Sequence, residues 1–298
     1  MNAFRNAFRV IANKFGFLWT HIAYYSLVIF LLVSISLSVL VPYINKIVES
    51  INVMQRLSEI GQAIIDNDGF GEFISLTKVF ISDLGGIFAG VRGLQTGLIL
   101  FLLSMLSRFA LGLGDIAFFH CIDMHLNSAV KQRFRASFIK NLGKSVKYQL
   151  CKMLFSLPFD AAIISLMYLI SFAFKAPLSL FFAPTFMVLG FVVLYGLRLA
   201  FFSGWVPEML HSESKKIFPA FFNSLKLFGK NFARSYGALL LYMIVAIAMN
   251  VLFGIFTLGV GLFFTIPFTY FILTVLSSTL YYQNNNLRYY VDKNTIIN

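Results

Sequence analysis

Acidic side chains are scarce in this chain. Twelve Asp and Glu stand against 24 Lys and Arg in 298 residues, and the four types together make up only 12% of the sequence, about half of what a soluble domain carries. So few charges cannot cover a water-facing surface, which excludes an ordinary soluble fold. Cysteine is nearly absent. Cys121 and Cys151 fall in segments that read as cytoplasmic, where thiols stay reduced, and this argues against a structural disulfide. Also missing are a glycine-rich phosphate loop, a metalloprotease histidine pair and a nucleophile elbow. No motif names a reaction, so no cofactor, no metal and no enzymatic activity are expected.

What the chain has instead is apolar length: 59% of its residues are hydrophobic. Ile22 to Ile44 is uncharged for 23 residues, and because about 20 residues at 1.5 Å each cross a hydrocarbon core, it spans once. Its start after Arg5, Arg9 and Lys14, with no small-x-small cleavage site behind it, reads as a retained signal anchor. Ser235 to Leu287 is uncharged for 53 residues, about 80 Å as one helix, and must cross twice. The break falls at Leu258-Gly259-Val260-Gly261, where glycine permits a tight turn. Ala176–Leu197 is uncharged, Met153–Phe174 carries only Asp160, and Leu94–Phe119 carries Arg108 and Asp115. These supply the other three spans.

The excess of base tests the topology. Four segments, up to His21, His120–Lys152, Gly204–Tyr236 and Gln283 onward, hold 17 of the 24 Lys and Arg. Ile44–Arg92, in contrast, has four bases against six acids. The positive-inside rule therefore places both termini in the cytoplasm of a bacterial cell, with the protein multi-pass in its cytoplasmic membrane. Charges that interrupt apolar runs make no continuous basic surface for nucleic acid, despite the net +12.

Each outward span follows a basic amphipathic stretch: Phe4, Phe8, Ile11, Phe15, Leu18 and Ile22; Val130, Phe134, Phe138, Leu142 and Val146; Phe218, Phe221, Phe222, Leu225, Phe228 and Phe232. Phe15-Gly16, Leu142-Gly143 and Phe228-Gly229 align, as do the span ends Ala117-Phe118-Phe119, Ala200-Phe201-Phe202 and Leu280-Tyr281-Tyr282. The expected fold is all-α: a polytopic membrane protein of six transmembrane helices in three hairpin repeats, each preceded by a basic amphipathic interfacial helix. It forms a single membrane domain, 1–298. Repeat 1 covers 1–119 with an extracytoplasmic helical insertion at 44–92, repeat 2 covers 120–203, and repeat 3 covers 204–298. The insertion reads as two amphipathic helices parted at Asp66-Asn67-Asp68-Gly69. Those four residues with Glu72 fit a helix-ending turn better than a calcium loop.

Gly254-Ile255-Phe256-Thr257-Leu258-Gly259-Val260-Gly261-Leu262-Phe263-Phe264-Thr265-Ile266-Pro267-Phe268, followed by Tyr281-Tyr282, resembles the end of a set of bacterial integral-membrane families. These are the membrane domain of some glycerophosphodiester phosphodiesterases and its relatives of unknown function. The resemblance covers about 40 residues and implies helical hairpins with cytoplasmic basic helices. It implies no activity, because the hydrolase of the fused enzymes is a separate soluble domain.

Two sets of residues remain as functional candidates. Arg108, Asp115, Asp160, Arg198 and Asn250 lie inside spans, where they serve either structural pairing or a transport path. The repeat alignment puts Asp115 and Arg198 at equivalent places, two residues before Ala117 and Ala200, so an interhelical ion pair between them is expected. Arg108, seven residues from Asp115 on the same helix, is the lesser partner. The second set is Arg5, Arg9, Lys131, Arg133, Arg135, Lys140, Lys226 and Lys230, bases placed to meet anionic lipid headgroups. His120, Cys121, Asp123 and His125, with Glu208 and His211, carry the donor types of a metal site but read as interfacial polar residues. The expected partners are membrane lipids, anionic ones above all, and no nucleic acid; a protein partner and the oligomeric state stay open. A non-enzymatic lipid-interacting or partner-docking module is the first functional expectation. A small transporter or lipid-translocating protein is the alternative.

Overall fold

A computed structural model describes residues 2–13, 15–51, 55, 58–59, 62, 75–76, 79, 90–173, 178–211, 216–292 and 295–297. Among them are ten helices: α1 (Asn2–Asn13), α2 (Phe15–Ile51), α3 (Gly90–Gly112), α4 (Asp115–Ser128), α5 (Phe134–Ala173), α6 (Leu178–Ser203), α7 (Trp205–His211), α8 (Ile217–Lys230), α9 (Phe232–Phe256) and α10 (Leu262–Asn284). An antiparallel ribbon follows, β1 (Tyr289–Tyr290) with β2 (Ile296–Ile297), in the register Tyr289↔Ile297 and Tyr290↔Ile296. The protein is an all-α polytopic membrane protein, and among the described residues six helical segments are long and apolar enough to cross a membrane. The parting of the 44–92 insertion at 66–69, and the calcium-loop reading there, lie outside the described residues.

The chain divides into two compact units, residues 1–28 with 109–298 and residues 29–108. In the smaller unit the helices turn apolar side chains outward: Leu31, Ile35 and Leu37 on α2, and Leu98, Phe101 and Leu102 on α3, are all exposed. Lipid is the solvent such faces require. Ser34 and Ser38 donate back to the carbonyls of Phe30 and Ser34 at 2.9 Å, which satisfies their hydroxyls without a partner helix.

In the larger unit α10 is the centre. Of its apolar window 61% is buried, against 11–22% in the other five. The reason is in its sequence: Thr265, Thr269, Thr274, Ser277, Ser278 and Thr279 are small and buried, so neighbouring backbones approach closely. Ser278 and Thr274 donate to the carbonyls of Thr274 and Tyr270 at 3.0 Å, so the hydroxyls need nothing from outside the helix. Helices α1, α4 and α9 pack around it. The turn into α10 lies where the glycines put it. Leu258 and Gly259 take φ of 50° and 89°, and Gly259 N donates to Gly254 O at 2.7 Å with Leu258 N to Ile255 O at 3.3 Å, a Schellman end to α9.

Three local expectations are revised. The middle basic stretch is no separate helix: α5 runs unbroken through Leu142-Gly143 for 40 residues, about 60 Å, whereas α8 ends before α9 begins. The second span breaks at Leu113-Gly114, so Arg108 and Asp115 are on different helices. A Cβ at Gly112 would displace the Gln149 amide, and one at Gly114 would meet the Tyr24 ring at 2.7 Å. Finally, α1 turns Ala3, Asn6, Ala7, Val10 and Ile11 into the protein and leaves Phe8 exposed. The predicted aromatic face is thus rotated, because small side chains let α1 lie close to α10. Asn6 Nδ2 donates to Tyr289 Oη at 2.8 Å and Asn13 Nδ2 to Val291 O at 3.3 Å. The first helix and the terminal ribbon therefore lie together.

Candidate functional site

Asp115 opens α4, where the helix dipole favours a carboxylate. Its Oδ2 accepts from Lys152 Nζ at 2.8 Å and Gln149 Nε2 at 3.0 Å, and its Oδ1 from the Tyr25 hydroxyl at 3.2 Å. Gln149 also donates to Gly112 O, a carbonyl left over at the end of α3. Lys152 lies over the Tyr148 ring, 5.4 Å from its centroid. Arg198 is held elsewhere: its Nε is 3.1 Å from Asp160 Oδ1, and its guanidinium lies 5.2 Å from the Tyr195 ring centroid. This is a contact of charges, since the Nε–H is not aimed at the oxygen for a hydrogen bond.

The expected Asp115–Arg198 pair is thus not formed. Each charge pairs instead with a residue of α5, the helix that follows α4 and precedes α6 in the chain. Asn250 Nδ2 donates within α9 to Ala246 O at 2.8 Å. Arg108 is half-buried in α3.

A second polar group joins helices of the second and third expected repeats. His211 Nε2 on α7 is 2.6 Å from Asp123 Oδ1 on α4, and the Tyr282 hydroxyl on α10 donates to the same oxygen at 2.8 Å. The Tyr281 hydroxyl donates to Glu208 Oε2 at 2.9 Å, and Asn223 Nδ2 on α8 to Oε1 at 3.4 Å. The imidazole of His211 stacks on Tyr281 at 5.3 Å. Aromatic pairs at span ends ordinarily mark a membrane interface, but here both phenols hold carboxylates and clamp three helices together. Among the described residues no three His, Cys, Asp or Glu side chains gather as a metal site requires. His120 Nδ1 is 3.2 Å from Ser137 Oγ, and Cys121 and Cys151 are free thiols.

The basic candidates behave differently. Arg5, Arg9, Lys131, Arg133, Arg135, Lys140, Lys226 and Lys230 are all exposed. Near them Phe218 and Phe222 on α8 are 52% and 55% exposed, while Phe221 and Phe228 are buried. Helix α8 therefore splits its aromatic side between protein and surroundings. Lys131, Arg133 and Arg135 line a cleft of about 580 Å³ with Asn13, Phe17 and His125. Among the described residues that line it there is no carboxylate, so it favours an anion.

The signal for Lys152 was its charge, which the span boundary at Met153 set outside the membrane. Gln149 and Tyr25 carried no periodicity that could have marked them, while Tyr281 and Tyr282 were marked as a span-end aromatic pair and not as partners of carboxylates. Compared with family models, curated proteins and solved structures, the chain matches none of them.

Proposed function

We propose that this protein is a non-enzymatic, lipid-interacting module of the bacterial cytoplasmic membrane, with both termini cytoplasmic and a basic end that holds anionic headgroups. The observation that carries the reading is the contrast between its two sets of charges. Asp115 and Lys152, and Asp160 and Arg198, neutralise one another inside the bundle, while the eight bases of the amphipathic stretches are exposed. Buried pairs of this kind hold helices together. Exposed bases beside exposed phenylalanines suit headgroups above an acyl boundary. A transporter or lipid translocator would set its interior charges along a polar groove. Against it weigh the partners those charges already have, and the buried side chains of α10 at the bundle's centre.

The test is Lys131→Gln with Arg133→Gln and Arg135→Gln, compared with wild type by native mass spectrometry from anionic and zwitterionic nanodiscs. Each base is worth about 1 kcal/mol near a charged leaflet, so retention of anionic lipid falls in the variant. Unchanged retention overturns the proposal.

A further inference from the structure

A second cleft, of about 700 Å³, opens between α1, the first turns of α9, and the end of α10 with the terminal ribbon. That volume lies within the roughly 300–1,000 Å³ of small-molecule sites. Arg5 and Arg9 of α1 and Arg234 of α9 line it, and among the described residues that line it there is no carboxylate. Three guanidiniums from helices far apart in the sequence thus share one opening, with no counter-charge among the described residues that line it. Guanidinium is the side chain best matched to phosphate oxygens.

The other walls divide in character. On one side Asn6 Nδ2 and Gln283 Nε2 both donate to Tyr289 Oη at 2.8 Å, so its lone pairs are taken and its own proton remains to be donated. Asn6 and Tyr289 are buried, at 3% and 1% exposure, which fixes that donor in place. On the other side Gly237, Ala238 and Leu241 run along α9, one of the helices apolar enough to cross the membrane. A Cβ on Gly237 would meet nothing within 4 Å, so the wall is recessed there.

From this juxtaposition we infer that the cleft binds one anionic phospholipid, its phosphate on Arg5, Arg9 and Arg234 and an acyl chain along the Gly237–Leu241 face of α9. The inference rests on the lipid-interacting reading and gives it a site. The chemistry shared with other ligands is a phosphate ester. A soluble phosphate would use the arginines and leave the apolar wall bare, and a choline headgroup would bring a second cation to three already present. The Lys131–Arg133–Arg135 cleft is basic as well. The offset that lays Phe15-Gly16 over Leu142-Gly143 lays residues 3–9 over 130–136, the segments that supply the basic wall of each cleft.

The experiment titrates delipidated full-length protein in detergent with phosphatidylglycerol, phosphatidylcholine, glycerol phosphate or inorganic phosphate, and reads bound species by native mass spectrometry. Wild type, Arg234→Gln, Arg5→Gln with Arg9→Gln, and Gly237→Leu are compared. All four positions are exposed, so melting temperatures should match wild type. Wild type should take up phosphatidylglycerol ahead of phosphatidylcholine. Removing Arg234 should weaken the tightest phosphatidylglycerol by about fivefold, and Gly237→Leu, which fills the acyl path, should weaken it with every charge retained. If wild type prefers phosphatidylglycerol but neither Arg234→Gln nor Gly237→Leu changes its tightest binding, the cleft assignment is wrong and the general reading stands. If glycerol phosphate or inorganic phosphate binds as tightly as phosphatidylglycerol, the site takes an anion and not a lipid. If wild type shows no preference between the two lipids, both readings fall.

Discussion

Asp115 on α4 and Lys152 on α5 form an ion pair at 2.8 Å, with side-chain exposures of 6% and 26%. Gln149 and Tyr25 complete the carboxylate's shell. Removing one partner strands the other charge in the bundle, a loss of about 3–5 kcal/mol for a buried pair. Lys152→Met and Asp115→Leu should each lower thermal stability in detergent by that order, while the double variant recovers much of it, since no charge is left unpaired. Harmless single changes would show that the pair does not stabilise the bundle.

This pair marks how far the sequence could be read. The six spans, the turn at Leu258–Gly261 and the exposure of the basic residues followed from uncharged length, glycine and charge asymmetry, which are local properties. The partners of Asp115 and Arg198 did not. Which helix faces which is decided by packing: α5 runs beyond the apolar stretch that begins at Met153, and it brings Lys152 and Asp160 to two neighbours. The docked face of α1 was hidden likewise. Phenylalanine periodicity drew attention to Phe4 and Phe8, while close approach to α10 selected Ala3, Ala7 and Val10. In the clamp, Asp123 and His211 are 88 residues apart, beyond any local pattern.

His21 is fully buried, its ring centroid 4.1 Å from Phe118, 4.5 Å from Tyr25 and 5.1 Å from Phe271. Neither ring nitrogen has a hydrogen-bond partner. An unpaired buried polar group costs about 1–3 kcal/mol. His21→Leu, close in volume and without polar atoms, should leave the melting temperature unchanged or raise it. A fall of several degrees would mean that the imidazole makes a stabilising contact.

The turn between α9 and α10 predicts effects of opposite sign. Gly259 has a φ of +89°, and a Cβ on Gly261 would stand 2.6 Å from Thr257 Oγ1 and 3.2 Å from Phe253 O. Gly259→Ala and Gly261→Ala should each destabilise by about 1 kcal/mol or more. Leu258 holds a φ of 50° and is 94% exposed, so Leu258→Gly relieves backbone strain and should stabilise. Thermal unfolding of the three variants checks the order, and a stabilising Gly259→Ala would contradict the turn geometry.

The proposed orientation predicts labelling in intact cells. With Cys121 and Cys151 replaced by serine, a single cysteine at Ser58 should react with an impermeant thiol reagent, and one at Ser212 should react only after the membrane is opened. The reverse pattern would invert the topology and move the basic end to the outer face.

The central claim is that the basic end selects anionic lipid, and the most direct measurement is which lipids the wild-type protein keeps. Released from nanodiscs of equal phosphatidylglycerol and phosphatidylcholine and weighed by native mass spectrometry, it should carry phosphatidylglycerol well above the membrane's even ratio, with the excess lost at high salt as surface electrostatics are screened. Retained lipids in the even ratio of the membrane would contradict the account.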